Sequence, residues 1–263
     1  MNLRRICAII VLAVLCLCQT AFAEDSYIDL GSRFSDIATY DHNGVTYYIK
    51  GRVSTTLVLC ADLNDDPSQG VGRLELVMLV AIDEDTDTVV PIQLLPGTVA
   101  SWLDGEDGTK TVAQLFNEAE SPQAACEKLL QTVNLIFPED EMVEHYFMLD
   151  VSGLAILDGI DNDEFNTTGE ALVERLKGVY NTIEDGTGDP NEMLSSMSGY
   201  IHTDMKSGAL MKVIDKCDRY DRSSRVPFPV LNSSDEAAVE FIADTEAFVE
   251  LMLSVYYEDT KPW

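Results

Sequence analysis

Positive charge is what this chain has least of: 17 lysines and arginines face 46 aspartates and glutamates over 263 residues, a formal net charge of −29 at pH 7. Such a charge opposes binding to nucleic acid or to an anionic membrane, since either has to overcome repulsion from the whole protein, and no nucleic-acid partner is expected. Histidine is scarce too, with three, and the six cysteines show no CxxC or Cys/His spacing, which excludes a zinc framework. Long apolar runs are also missing. The longest, Ile6 to Cys18, covers about 13 residues, short of the roughly 20 that cross a bilayer as a helix. It follows Arg4 and Arg5 and precedes Ala21-Phe22-Ala23, so residues 1–23 read as a secretory signal peptide cleaved after Ala23 rather than kept as an anchor. The mature chain is therefore expected outside the cytoplasm. Cleavage removes two arginines and no acid, leaving 15 basic residues against 46 acidic ones. Cys7, Cys16 and Cys18 leave as well. Cys60, Cys126 and Cys217 remain, an odd number; Cys60 ends an apolar strand pattern and Cys126 lies on an apolar helix face, which suits buried free thiols better than a disulfide framework.

What is present is a legible order of elements. After a polar lead-in over residues 24–44, Asp41-His42-Asn43-Gly44 is a turn between two short strand patterns. Thr55–Ala61 and Leu74–Ile82 are continuous apolar runs of strand length, as expected for strands buried on both faces. Val89–Leu95 follows the acidic loop Asp83–Asp87, so the sheet is at least partly antiparallel. Thr111–Ala119 reads as a short helix, and Ser121-Pro122 opens a longer one with a cap residue and proline in its first turn. His145–Val151 returns as a strand. Ser152–Leu157 reads as a short helix or turn; Phe165–Ile183, Asn191–Tyr200 and Ser207–Cys217 read as helices, Val226–Leu231 as a strand, and Asp244–Tyr256 as a last helix. The proportions predict one α/β domain over residues 45–260, a three-layer α/β/α sandwich with a central mixed sheet.

The order of these pieces carries a resemblance. A strand ending at Asp62, an acidic loop, Arg73-Leu74-Glu75 opening the next strand, an acidic hairpin, a strand ending Pro96-Gly97-Thr98, a helix pair, the His145–Leu154 block, Gly199–Met205 and the terminal Phe241–Tyr257 block together resemble the LytR-CpsA-Psr (LCP) family. Members of that family are extracytoplasmic enzymes of Gram-positive walls that move glycopolymers from a polyprenyl-pyrophosphate carrier onto peptidoglycan. A pyrophosphate leaving group needs a divalent cation held by carboxylates and several arginines around its phosphates. The resemblance implies Asp62 and Glu75 as ligands of magnesium and Asp62, Arg73 and Glu75 as the catalytic set of an active enzyme. It also exposes departures. Leu94-Leu95-Pro96-Gly97-Thr98 lacks the arginine and aspartate that the family places there, and Arg175 is the sole arginine between Arg73 and Arg219. Lys110 and Lys128 are the remaining candidates for extra charge, and nothing in the sequence sets them at a phosphate.

Two functions follow. One is a catalytically degenerate, secreted binding or accessory protein of cell-wall glycopolymer assembly, a monomer whose partner is a polyprenyl-phosphate lipid or the glycopolymer itself. The other is an active magnesium-dependent phosphotransferase or pyrophosphatase. Plainer roles stand beside these. Asp62, Asn64, Asp65 and Asp66 start like a calcium loop, yet Pro67 and Arg73 stand where glycine and glutamate are needed. Asp158, Asp161 and Asp163 read as a solvated loop. His145 is expected to cap or pack, Arg73 and Glu75 can be a surface pair, Tyr256, Tyr257 and Trp263 read as packing and tail residues, and Ser195, Ser196 and Ser198 have no His/Asp partner in view. Leu59, Val77, Leu79, Leu130 and Phe147 are expected to form core rather than a lipid tunnel.

Overall fold

The computed structural model describes residues 39–64, 67–137, 142–151, 198–206, 209, 212–213, 216, 220–222, 226–231 and 240–259. The signal-peptide segment, the acidic cluster at Asp158, Asp161 and Asp163, Arg175, Ser195, Ser196, Cys217, Trp263 and the expected helices over 152–157 and 165–183 lie outside these residues.

The first two strands, β1 (Thr39–His42) and β2 (Val45–Ile49), form a hairpin. Its loop is shorter than the expected turn: Asp41 and His42 belong to β1, and only Asn43 (φ 51°) and Gly44 (φ 79°) turn. Positive φ at both positions makes a loop whose twist matches the strands it joins, and asparagine followed by glycine adopts it at least cost. Next come β3 (Val53–Leu63), β4 (Gly72–Asp83), β5 (Thr88–Leu94) and β6 (Thr98–Val99). Helices α1 (Val112–Asn117) and α2 (Pro122–Asn134) begin where the sequence marks them. Thr111 accepts from the Gln114 amide while the Gln114 side chain accepts from the Thr111 amide, and Ser121 accepts from Ala124 with Pro122 in the first turn.

Strand β7 (His145–Asp150) leads to β8 (Ile201–Thr203), β9 (Asp221–Arg222), β10 (Val226–Pro227), β11 (Phe241–Ile242), α3 (Thr245–Tyr256) and β12 (Tyr257–Glu258). Of the expected helix Asn191–Tyr200 the described residues Ser198–Tyr200 form a 3-10 turn, and Ala209, Lys212, Val213 and Lys216 are helical as expected. The expected strand Val226–Leu231 shrinks to β10, with Val230 bridging Ala243. Pro227 and Pro229 explain this, since neither can donate to a ladder.

The central sheet is mixed, in the order β10-β5-β4-β3-β7-β8, with β9 also pairing β5. β3 pairs antiparallel with β4 and parallel with β7, and β4 pairs antiparallel with β5. Strands β3, β5 and β7 therefore share one direction and end at one edge. Leu57, Leu59, Ala61, Val77, Leu79, Ile92 and Met148 form one face and join α1, α2 and α3 in a single apolar cluster. Val58, Cys60, Met78, Val80, Ile82, Phe147 and Leu149 point the other way and are buried as well, so the sheet is the inner layer of an α/β architecture, as its continuous apolar strands require. Leu59, Val77, Leu79 and Phe147 are thus core, and Leu130 packs partly buried against it.

The chain closes on itself at the far edge. β12 pairs with β2, Lys50 donates its amide to the Tyr256 carbonyl (2.9 Å), and Thr55 Oγ1 donates to the buried Tyr256 hydroxyl (3.0 Å). Phe137 sets its ring edge-on to Phe248 and Tyr256 at 5.4 and 5.3 Å. Tyr256 and Tyr257 are packing residues, as expected. Among the described residues, no helix is long and apolar enough to cross a membrane.

Candidate functional site

The carboxyl ends of β3, β5 and β7 meet the start of β4 at one edge of the sheet, the position where open α/β sheets bind ligands. Asp62 on β3 and Arg73 on β4 are direct cross-strand partners. Arg73 Nη2 lies 3.5 Å from Asp62 Oδ2, and Arg73 Nε donates to Glu75 Oε1. The structure therefore brings the expected set together. It also fixes a relation the sequence left open: one guanidinium is held by both carboxylates.

Glu75 reaches this place through a β-bulge. Cys60 pairs with Leu76 and Ala61 with Leu74, so Glu75 is the extra residue of β4. In a regular ladder Glu75 would take the place opposite Ala61, and Leu74 would point away from the helix cluster that contains Val77 and Leu79. With the bulge, Leu74 joins Ala61 in that cluster, and Arg73 and Asp62 share the opposite face. Glu75 is the more sheltered carboxylate, with its side chain 16% exposed against 34% for Asp62 and 61% for Arg73.

Two groups that the sequence did not single out complete the surroundings. Asp150 ends β7 opposite Ala61 and is 7% exposed. Its signal was the parallel pairing of β7 with β3, which strand periodicity alone does not reveal. Cys60 lies beneath: burial, then the charges of Glu75 and Asp150, push its thiol up to about 12. His202, opposite Met148 on β8, is held below the ordinary imidazole range by burial, against the opposing pull of Asp150. Asp62 and Glu75 thus set two acidic groups against Arg73, and Asp150 adds negative charge near Cys60 and His202.

The other candidate cations are engaged elsewhere. Lys110 binds Glu118 (2.8 Å) and Asp107 (3.4 Å), and Lys128 binds Asp107 (2.5 Å). Lys50 pairs with Asp83 and Arg52 with Glu84 and Asp85. The segment where an additional arginine was sought is tied into the fold by its backbone: Pro96 accepts from the Ala113 amide (2.8 Å) and Gly97 from the Phe241 amide (2.9 Å). A magnesium ion takes one or two carboxylates and completes its octahedron with water and phosphate oxygens. Asp62 and Glu75 are donors of that type and would hold such an ion; both now engage Arg73. Among the described residues, no group of three or more His, Cys, Asp or Glu side chains is arranged to hold a metal. A cavity of about 120 Å³ lies at the opposite edge of the sheet, lined by Lys50, Asp83, Thr86, Thr88 and Ser254 among others; it is remote from the carboxylates. The remaining candidates are structural: His145 Nδ1 sits 3.2 Å from Asp204 Oδ2, and Asn64 closes its own loop by donating to the Gln69 and Gly70 carbonyls.

No family model matches this chain, and no curated protein matches it by sequence. Solved structures do match by fold. TagT bound to LI-WTA superposes with a TM-score of 0.52 at 8% identity, over 78% of this chain and 89% of that one. A transcriptional regulator from Enterococcus faecalis gives 0.50 at 14% identity, over 78% and 86%. TagT bound to LIIa-WTA gives 0.50 at 8% identity, over 78% and 89%. TagT is an LCP protein, and at these identities the likeness is one of fold.

Proposed function

We propose that this chain, whose fold is LCP-like, is an extracytoplasmic accessory protein that binds a cell-wall glycopolymer or its polyprenyl-phosphate-linked precursor without transferring it. The observation that carries this reading is the engagement of Arg73 by both Asp62 and Glu75. Transfer from a pyrophosphate carrier needs cations turned toward the leaving group. Here the guanidinium at the sheet edge is neutralised by its own neighbours, and Lys110 and Lys128 serve other carboxylates. Unlike charges at such distances are worth about 1 kcal/mol in water and several times that near a protein surface, so Arg73 is not given up to a ligand without loss. The ligand class is supported by the fold likeness to TagT, which binds LI-WTA.

The second reading, a magnesium-dependent phosphotransferase, is favoured by the position of Asp62 and Glu75 at the ligand-binding edge of the sheet. In that case Asp62 and Glu75 would hold the ion, whose charge would stabilise the departing phosphate, and Arg73 would turn toward the phosphate. Incubating residues 24–263 with a polyprenyl-pyrophosphate-linked sugar and magnesium separates the two. The accessory reading expects a thermal shift and a bound lipid by native mass spectrometry without release of polyprenyl phosphate. Release that Asp62→Ala abolishes would establish the enzyme instead, and a chain that neither binds nor releases would remove both.

A further inference from the structure

We infer that Asn117 is a positioning residue for the Asp62–Arg73–Glu75 cluster, fixing the chain just ahead of Arg73 from the end of α1. Asn117 is the last residue of that helix, where backbone carbonyls have no partner within the helix. Its carbonyl accepts from the Val71 amide at 2.9 Å, and its side-chain Oδ1 accepts from the Gly72 amide at 2.9 Å. Two consecutive amides leading into Arg73 are therefore held by one residue that lies 45 positions away in sequence from Gly72.

The fit leaves no slack. A Cβ at Gly70, whose φ is +89°, would come within 2.6 Å of both Asn117 oxygens, and one at Gly72 within 2.3 Å of the Asp62 carbonyl. From the other side, the Asn64 amide donates to the Val71 carbonyl at 3.0 Å. The start of β4 is clamped between β3 and α1, and the register that sets Arg73 against Asp62 depends on it. The opposite end of α1 accounts for the second loop at this edge, since the Ala113 amide binds the Pro96 carbonyl. Helix α1 thus braces both loops, and Asn117 is the contact that reaches the charged cluster.

The inference rests on taking that cluster as the functional centre, and its test needs no ligand, so either can fail without the other. In ¹⁵N-labelled protein, the Arg73 Nε–Hε signal and the Gly72 amide report the clamp through their exchange with solvent. Asn117→Ala is expected to speed both by about tenfold, the scale of one lost hydrogen bond, while the Leu79 amide in the core is unchanged. Asn117→Asp, which keeps the acceptor, is expected to retain slow exchange at Arg73. Gly70→Ala, which pushes the loop off Asn117, should loosen Arg73 as Asn117→Ala does, and it carries the test if the alanine variant does not fold. An Arg73 signal that stays slow in Asn117→Ala or in Gly70→Ala, or that is lost equally in Asn117→Asp, would overturn the inference.

Discussion

Cys60 shows how far a single residue could be read in advance. Its place at the end of an apolar run marks a buried free thiol, and both it and Cys126 are free and buried. What the run did not show is that Glu75 and Asp150 stand close enough to add to the effect of burial. With thiols pushed up to about 12 in both cases, roughly one molecule in 10⁴ carries thiolate at pH 8. In a Cys217→Ser variant lacking residues 1–23, a disulfide reagent at pH 8 should therefore leave Cys60 and Cys126 unlabelled in the native state and label both in urea. Rapid native labelling of either would contradict the burial. Arg73 and Glu75 had a plainer reading as a surface pair, and they do pair. The presence of Asp62 on the same guanidinium could not be read, because it depends on the register between two strands.

At the scale of elements, the signals that were legible are local ones. Thr111 with Gln114, Ser121 with Ala124, and Asp244 with Ala247 mark helix starts through contacts three residues apart. Replacing Thr111 with alanine is expected to cost about 1 kcal/mol in urea unfolding; no change in midpoint would mean the cap is not limiting. The bulge in β4 was not legible, because Leu74-Glu75-Leu76-Val77 is apolar or acidic in an order that fits either face. Its energetic reason appears only in the pairing. Deleting Glu75 would straighten the ladder while leaving Leu74 opposite Ala61 and Arg73 opposite Asp62, so little change in urea unfolding is expected. A loss of several kcal/mol, the scale of a large core defect, would show that the bulge itself supports the packing. The expected strand Val226–Leu231 is shorter in the structure because Pro227 and Pro229 cannot donate to a ladder, whatever the apolar content around them.

For the whole molecule, the excess of acid is organised rather than merely present. Lys50 Nζ sits 3.1 Å from Asp83 Oδ2 and 2.9 Å from the Val255 carbonyl, joining β2, β4 and α3. Burial pushes Asp83 up, but the Lys50 hydrogen bond and charge, with the Asp85 and Thr86 amides, together hold it below the usual carboxylate range. Glu84 is likewise pushed up by burial and held low overall by Lys216 and Arg52. A carboxyl lowered in the folded state binds protons less readily there than in the unfolded chain. Its contribution is therefore complete above the unfolded value, near 4, and is lost as pH falls through the folded one. Lys50→Met should lower stability by ~2 kcal/mol at pH 7, the scale of a hydrogen bond to a charged group. Its deficit relative to the parent should stay constant down to about pH 5 and shrink below about pH 4. A deficit independent of pH would mean that packing, not the ion pair, accounts for the loss.

The sequence by itself determined the α/β class, most of the strands and helices, the caps that start the helices, the two buried thiols and the scarcity of cations. These follow from composition and from contacts within four residues, which the order of side chains states directly. Tertiary structure decided the strand order, the bulge, the clamp at Asn117 and the partners of Lys50, Arg52, Arg73, Lys128 and Lys216. The groups involved are far apart in the chain: Lys216 meets Glu84 across 132 positions and Thr55 meets Tyr256 across 201. Such pairs exist only once sheet pairing and helix packing have brought the edges together, and the charge left at the carboxylate edge is set by that geometry.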